Sequence, residues 1–151
     1  MRQMRLADRS LHYYLENNLT SIWGSFLSVI DGYPYPEDDI TLPTVSVDYL
    51  SGSLAGLEIG TDNTEDTMIF EIDIFARSKG ERDDLSDIVE GLLVSGCDLL
   101  QFSGGGAGES LGYMAFERIT SKPVYYVGGL PSTLANRAVV TARADVVTTG
   151  N

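Results

Sequence analysis

The sequence predicts an α+β domain: a mostly antiparallel sheet of about four to five strands, an N-terminal helix, and a second helix packed across the sheet. Three observations carry this. Met68, Phe70, Ile72, Ile74 and Ala76 alternate with Ile69, Glu71, Asp73, Phe75 and Arg77, a period of two that puts one set on a buried sheet face. Past Gly80 the period changes. Leu85, Ile88, Val89, Leu92 and Leu93 fall at i, i+3, i+4, i+7 and i+8, one apolar stripe of a helix. In the C-terminal run 137–148, Ala138, Val140, Ala142, Ala144 and Val146 alternate against Val139, Thr141, Arg143, Asp145 and Val147. That run is apolar on much of both faces and is expected to be a well-covered strand.

Taken in chain order, Met4, Ala7, Leu11, Tyr14 and Leu15 keep helical spacing and predict a helix over 6–18, with Ile22 as a continuation. Arg2, Arg5 and Arg9 share a different face of it. A solvated face is the ordinary reading of such a stripe. Contact with the acidic surface of a neighbouring subunit is the sharper one. Residues 22–30 are apolar without a clean period and receive no assignment. Asp31-Gly32 then turns the chain, and Pro34 and Pro36 hold their predecessors extended. Tyr33 and Tyr35, beside those prolines, either contact a partner or staple the loop down.

A strand is expected from Pro43, with Val45, Val47 and Tyr49 alternating against Thr44, Ser46 and Asp48. Residues 51–67 read as an extended loop or small arm, and a connection of that length usually carries function. Its apolar residues Leu54, Leu57 and Ile59 are the candidate contacts. The second helix is expected over 81–94. Glu81, Asp83, Asp84 and Asp87 lie in its first two turns, where the helix dipole favours negative charge, and Gly96 stops it. Glu71, Asp73 and this acidic start are expected on a solvated or partner-facing side. The glycine run 103–108 reads as a flexible surface loop, followed by strands over 112–120, 123–127 and 137–148.

The chain has 151 residues, is 43% hydrophobic and carries a net charge of −12 from 22 acidic and 10 basic residues. One domain spanning 1–151 accommodates that length and can bury a core without disulfides or metal. The charge argues against a protein that grips nucleic acid, which needs clustered Lys and Arg. Cys97 is the single cysteine and His12 the single histidine. They are expected to be a small buried thiol and a surface imidazole, not a catalytic pair. Residues 1–5 are basic, but no apolar stretch of signal-peptide type follows, and no run is long enough to span a membrane. Synthesis in the cytoplasm is the expectation.

No constellation carries catalysis. A phosphate-binding loop needs a Lys before the Ser, and Gly108-Glu109-Ser110 offers a carboxylate there. The acidic stretch 58–90 holds eleven carboxylates against three basic residues, but Asp62 to Asp66 lacks the ligand spacing of a calcium loop. Glu71 and Asp73 form a carboxylate pair of the kind any half-exposed strand carries. The expectation is therefore no catalytic residue, no metal site and no cofactor.

The order of elements, with Leu42-Pro43-Thr-Val-Ser-Val47 and Phe70-Glu-Ile-Asp-Ile-Phe75-Ala76 followed by the helix through Leu93, resembles the tail-terminator or tail-completion proteins of long-tailed bacteriophages. The resemblance covers the layout from Leu42 onward, and its motifs are short. It implies a non-enzymatic ring subunit, usually a hexamer, that ends the tail tube and joins it to the head. The implied partners are further copies of the chain, a tail-tube protein and a head–tail connector or stopper protein. DNA would transit an acidic lumen without specific binding, and the protein would reside in the virion, at the neck. A connector or head-completion ring is the neighbouring reading. The reading from a different class is a small ligand-binding or enzymatic domain with its site under Gly104–Gly108, which requires Glu109, Glu117 and Arg118 to converge.

Overall fold

The computed structural model describes residues 2–34, 40–56, 64–103, 106–124 and 135–148. Helix α1 (Arg2–Ile22) is followed by β1 (Ser28–Asp31), β2 (Thr44–Gly56), β3 (Thr64–Ala76), α2 (Lys79–Ser95), β4 (Cys97–Ser103), β5 (Gly106–Val124) and β6 (Asn136–Thr148). These strands form one sheet in the order β1-β2-β3-β6-β5-β4. Every neighbouring pair is antiparallel except β1 with β2.

The inward face is the one the alternation predicts. Met68, Phe70, Ile72 and Ile74 of β3 lie opposite Ala144, Ala142, Val140 and Ala138 of β6, and all are buried. The large β3 side chains thus meet small ones on β6, which leaves room for helices on top. Helix α1 supplies Ala7, Leu11, Leu15 and Leu19 to this core, and α2 supplies Leu85, Val89 and Leu93. Ala7, Leu11 and Leu15 belong to the stripe read from the sequence, Leu19 extends it, and Ile22 is exposed.

Helix α1 also closes the sheet. Its Ser10 Oγ accepts from Leu100 N–H of β4 at 2.9 Å, and its His12 Nε2 lies 3.0 Å from Val29 O of β1, a bond the imidazole donates in its Nε2–H form. Strands β1 and β4 are the two ends of the sheet order. The sheet therefore curls until both edges reach one helix, which satisfies edge groups that would otherwise invite further pairing. Tyr14 Oη donates to Leu92 O at 2.9 Å and ties α1 to α2.

Helix α2 starts on a Ser78 cap that resembles a capping box displaced by one residue. Ser78 accepts from Glu81 N–H at 3.2 Å, and Glu81 reaches back to Arg77 N at 2.9 Å and to its guanidinium at 2.5 Å. Arg77 holds the Glu81 carboxyl below its ordinary range. Gly96 ends the helix at φ 72, and its N–H donates to Leu93 O at 3.0 Å. Gly112 is needed for a different reason. A Cβ there would lie 2.0 Å from Val147 O and 3.0 Å from Thr148 Cα, both backbone atoms of the paired strand. Gly112→Ala is expected to cost about 1–3 kcal/mol by overpacking, read as a lower urea midpoint with unchanged slope. An unchanged midpoint would contradict the close approach.

The structure has more strand than the sequence pattern indicates. Strand β1 lies in the unassigned stretch, and β4 was not expected, because two register shifts against β5 spoil its alternation. Helix α1 begins four residues before the expected start at 6 and runs past 18 to Ile22, the continuation the spacing offered. Gly106 and Gly108 sit in β5, with Ser103 opposite Gly106, so the glycine run expected as a loop is strand where it is described, and 104–105 lie outside the described residues. Pro123 and Val124 finish β5 and do not open a new strand, while 125–127 lie outside the described residues. Across 51–67, β2 and β3 pair from Ser51 opposite Ile69 to Gly56 opposite Thr64, so this stretch is an arm of paired strands on both sides of 57–63, which lie outside the described residues.

Candidate interaction site

Both helices pack on the inward face, which leaves the outward face of the sheet as the surface to account for. It has two halves. Toward the Ala76 end of β3, Asp73 and Phe75 are fully buried. Arg137 of β6 sends both Nε, at 2.9 Å, and Nη2 to Asp73 Oδ1. The guanidinium lies 5.1 Å from the Tyr33 ring centre and 5.6 Å from that of Phe75, and the two rings meet edge-on at 5.9 Å. Tyr33 thus roofs an ion pair between two central strands. Burial pushes the Asp73 carboxyl up to about 6, against the pull of Arg137. The expectation that Asp73 lies on a solvated or partner-facing side is therefore wrong, and Glu81 of the acidic helix start is likewise buried. Alternation puts Asp73 on the polar register, but the loop after β1 covers that register locally.

The other half of the face is open. Ile69, Tyr113 and Val147 are between 37% and 47% exposed, and Leu50, at the bulge of β2, is 51% exposed. Tyr113 lies opposite Val147, and Glu117, Arg143 and Ile69 share one row across β5, β6 and β3. Arg143 Nε sits 3.3 Å from Glu117 Oε1 and 3.6 Å from Asp145 Oδ1. The result is a mixed patch with apolar residues around a charge ladder, half apolar and half polar as contact surfaces often are. Strand β6 is correspondingly covered at Val139 and open at Val147, not covered throughout. Ile69 and Val147 were visible in the sequence as apolar residues in a polar register.

Of the residues singled out in the sequence, Arg5 and Arg9 are exposed on α1. Arg9 stacks 4.3 Å over Phe102 of β4, with Tyr13 edge-on to the same ring at 5.9 Å, so one end of the basic stripe is laid onto the sheet. Arg2 belongs to α1, and Leu54 lies in β2 opposite Asp66, with their side chains outside the description. Tyr33 roofs the ion pair. Tyr35, Leu57 and Ile59 lie outside the described residues. Glu117 pairs with Arg143, and Glu109 and Arg118 are exposed elsewhere on β5, so these three do not converge on a site. Among the described residues no three His, Cys, Asp or Glu side chains are grouped as metal ligands, and no helix is long and apolar enough to cross a membrane.

Cys97 is buried, and burial pushes its thiol up to about 12, where the thiolate is absent at neutral pH. His12 is not a surface imidazole. It is about three-quarters buried, bonded to Val29 O, and lies 3.6 Å from Glu16. A cleft of about 370 Å³ between α1 and the β4–β5 hairpin is lined by Tyr13, Asn17, Asp98 and Tyr113 among others.

Asp8 on α1 is a strongly perturbed acid outside the sheet. Burial, the adjacent Asp31 and then Asp48 push its carboxyl up to about 7, with His12 opposing. A carboxyl raised in the folded state stabilises the fold below its unfolded value, and that contribution is lost as pH rises through the folded one. Asp8→Asn is therefore expected to gain about 1–2 kcal/mol at pH 8, a range already reduced for its partial exposure. The gain should shrink below pH 5. Urea midpoints at pH 8 and pH 4.5 measure it; an equal gain at both would contradict the assignment.

No protein-family model and no curated protein matches the sequence. Among solved structures, the chain is similar to a chain of the "Virion of native gene transfer agent (GTA) particle", with a TM-score of 0.52 and 15% identity over 94% of each chain. At that identity the likeness is one of fold.

Proposed function

We propose that the chain is a non-enzymatic structural subunit of a phage-like particle, built into a ring at the neck that ends the tail tube and joins it to the head. The observation that carries this is the likeness of fold across 94% of both chains to a chain of a gene transfer agent virion. Two features support it. The helix-free half of the sheet offers a mixed apolar and charged patch, and the β2–β3 arm runs well past β1.

The partners in this reading are further copies of the chain, most simply six, together with a tail-tube protein and a connector or stopper protein. The net charge of −12 suits a wall that DNA passes without being held. The protein then resides in the virion after synthesis in the host cytoplasm. Size-exclusion with light scattering on the purified chain, alone and with tail-tube protein, tests the ring. A mass of several subunits, six by this account, is expected in at least one condition. A monomer in both removes the ring. Retention by connector protein and not by tail-tube protein assigns the chain to the other side of the neck, as a head-completion ring.

A further inference from the structure

We infer that the sheet of each subunit continues into the next, the free edge of β2 in one copy pairing with the free edge of β5 in another. This rests on the ring reading and names its contact. Strand β1 pairs with β2 only over Thr44 to Val47. From Leu50 to Gly56, β2 has β3 on one side and no described strand on the other. Likewise β4 pairs with β5 only from Gly106 to Met114, so from Ala115 to Val124 β5 has β6 alone among the described strands. The edges of β1 and β4 are not open in this way, since His12 and Ser10 of α1 bond to them.

The two free edges differ in kind. Residues 50–56 read Leu-Ser-Gly-Ser-Leu-Ala-Gly, with no charge and no Pro. Such an edge is a template for pairing, and proteins that keep strands apart protect it. The β5 edge is protected: Arg118 sits at φ 51 beside a register shift, and Lys122 and Pro123 follow. Protection by charge is also selection by charge. Arg118 and Lys122 are exposed and make no ion pair among the described residues.

Charge then chooses the partner. No Lys or Arg occurs between Arg9 and Arg77, and residues 46–76 carry seven carboxylates. Residues 118–148 carry four basic residues and one acid. Pairing β2 with β2 across a two-fold axis would set one acidic arm against another, whereas β2 against β5 sets acid against base. That contact joins unlike patches, the kind that closes into rings. The geometry agrees. Strands β2 and β5 are three antiparallel steps apart, so they run oppositely and meet antiparallel between like-oriented copies. Ser51, Ile69, Arg143 and Glu117 share one row, so the two free stretches overlap along the sheet.

Disulfide trapping tests this, with the buried Cys97 thiol as a silent background. Ser51→Cys and Ser53→Cys place thiols on β2, and Thr120→Cys and Ser121→Cys place them on β5. Each β2 variant is mixed with each β5 variant under mild oxidation, and linkage is read on non-reducing gels beside light-scattering mass. Disulfide dimers are expected in at least one mixture and in none of the variants alone. Linkage of a β2 variant with itself overturns the pairing, as does a multi-subunit mass with no linkage in any mixture, and the ring stands in both cases. Monomer mass throughout, without linkage, overturns the pairing and the ring together.

Discussion

Replacing Arg137 with methionine is expected to cost about 3–5 kcal/mol of folding stability. The cost does not come from losing an attraction alone. Asp73 has no exposed surface, and its Oδ2 is already buried without a hydrogen-bond partner. Removing the guanidinium leaves a carboxylate in a site roofed by Tyr33 and walled by Phe75. The carboxyl, already at about 6, would rise further. A raised folded value means the fold is favoured at low pH and disfavoured as pH rises through it. The Arg137→Met defect should therefore be largest near pH 8 and shrink toward pH 5. The double variant Asp73→Leu with Arg137→Met should recover most of the loss, because two apolar groups of similar size replace a buried pair at little net cost. Urea unfolding of wild type, single and double variants at both pH values measures this. A single-variant loss below 1 kcal/mol, or a double variant no better than the single, would contradict the account of the outer face.

Leu15→Ala is expected to cost about 2–5 kcal/mol, the range for truncating a fully buried leucine. Leu15 sits with Leu11 and Leu19 on the stripe of α1 that enters the core, and none of the three has exposed surface. The same helix holds both ends of the sheet, through Ser10 on β4 and His12 on β1. Weakening its seat has a second consequence, exposure of two strand edges that the helix covers. The variant should thus unfold at lower denaturant and also scatter more light on standing than its lost stability explains. A Gly112→Ala control, destabilised without loosening α1, separates the two effects. Equal scattering from both variants at equal stability would contradict the clasp.

The elements with a clean period were legible: β3, α2 and the apolar stripe of α1 each declare one buried face, and β6 declares a strand though not which part of its second face is open. Strands β1 and β4 were not, for different reasons. Strand β1 has four residues and takes its place from parallel pairing with β2, a long-range fact. Strand β4 is broken in register at Leu99, Leu100 and Phe102, which removes the alternation that would reveal it. The glycine-rich hairpin misleads because glycine disfavours strands in general, while here Gly108 lies against Gln101 O and Gly112 against Val147 O, where a side chain has little or no room.

The interaction surface was legible only in outline. Arg5 and Arg9 are exposed as the spacing implies, yet nothing in the sequence says that Arg9 rests on Phe102. Asp73 looks solvated beside Glu71, because its partner Arg137 is 64 residues away and its cover, Tyr33, lies 40 residues before it. Pairings at such separation are set by strand order. The open patch of Leu50, Ile69, Tyr113 and Val147 has the same origin. Each is an apolar residue in a mixed stretch; only the register puts Ile69, Tyr113 and Val147 on one face, and Leu50 sits beside them at the bulge of β2.

Immuno-electron microscopy of assembled particles, with antibody against this chain, tests the central claim most directly. Label confined to the junction of head and tail is predicted, and loss of tails from heads when the chain is removed should accompany it. Particles that carry no label, and assemble intact without the chain, would contradict a structural role at the neck.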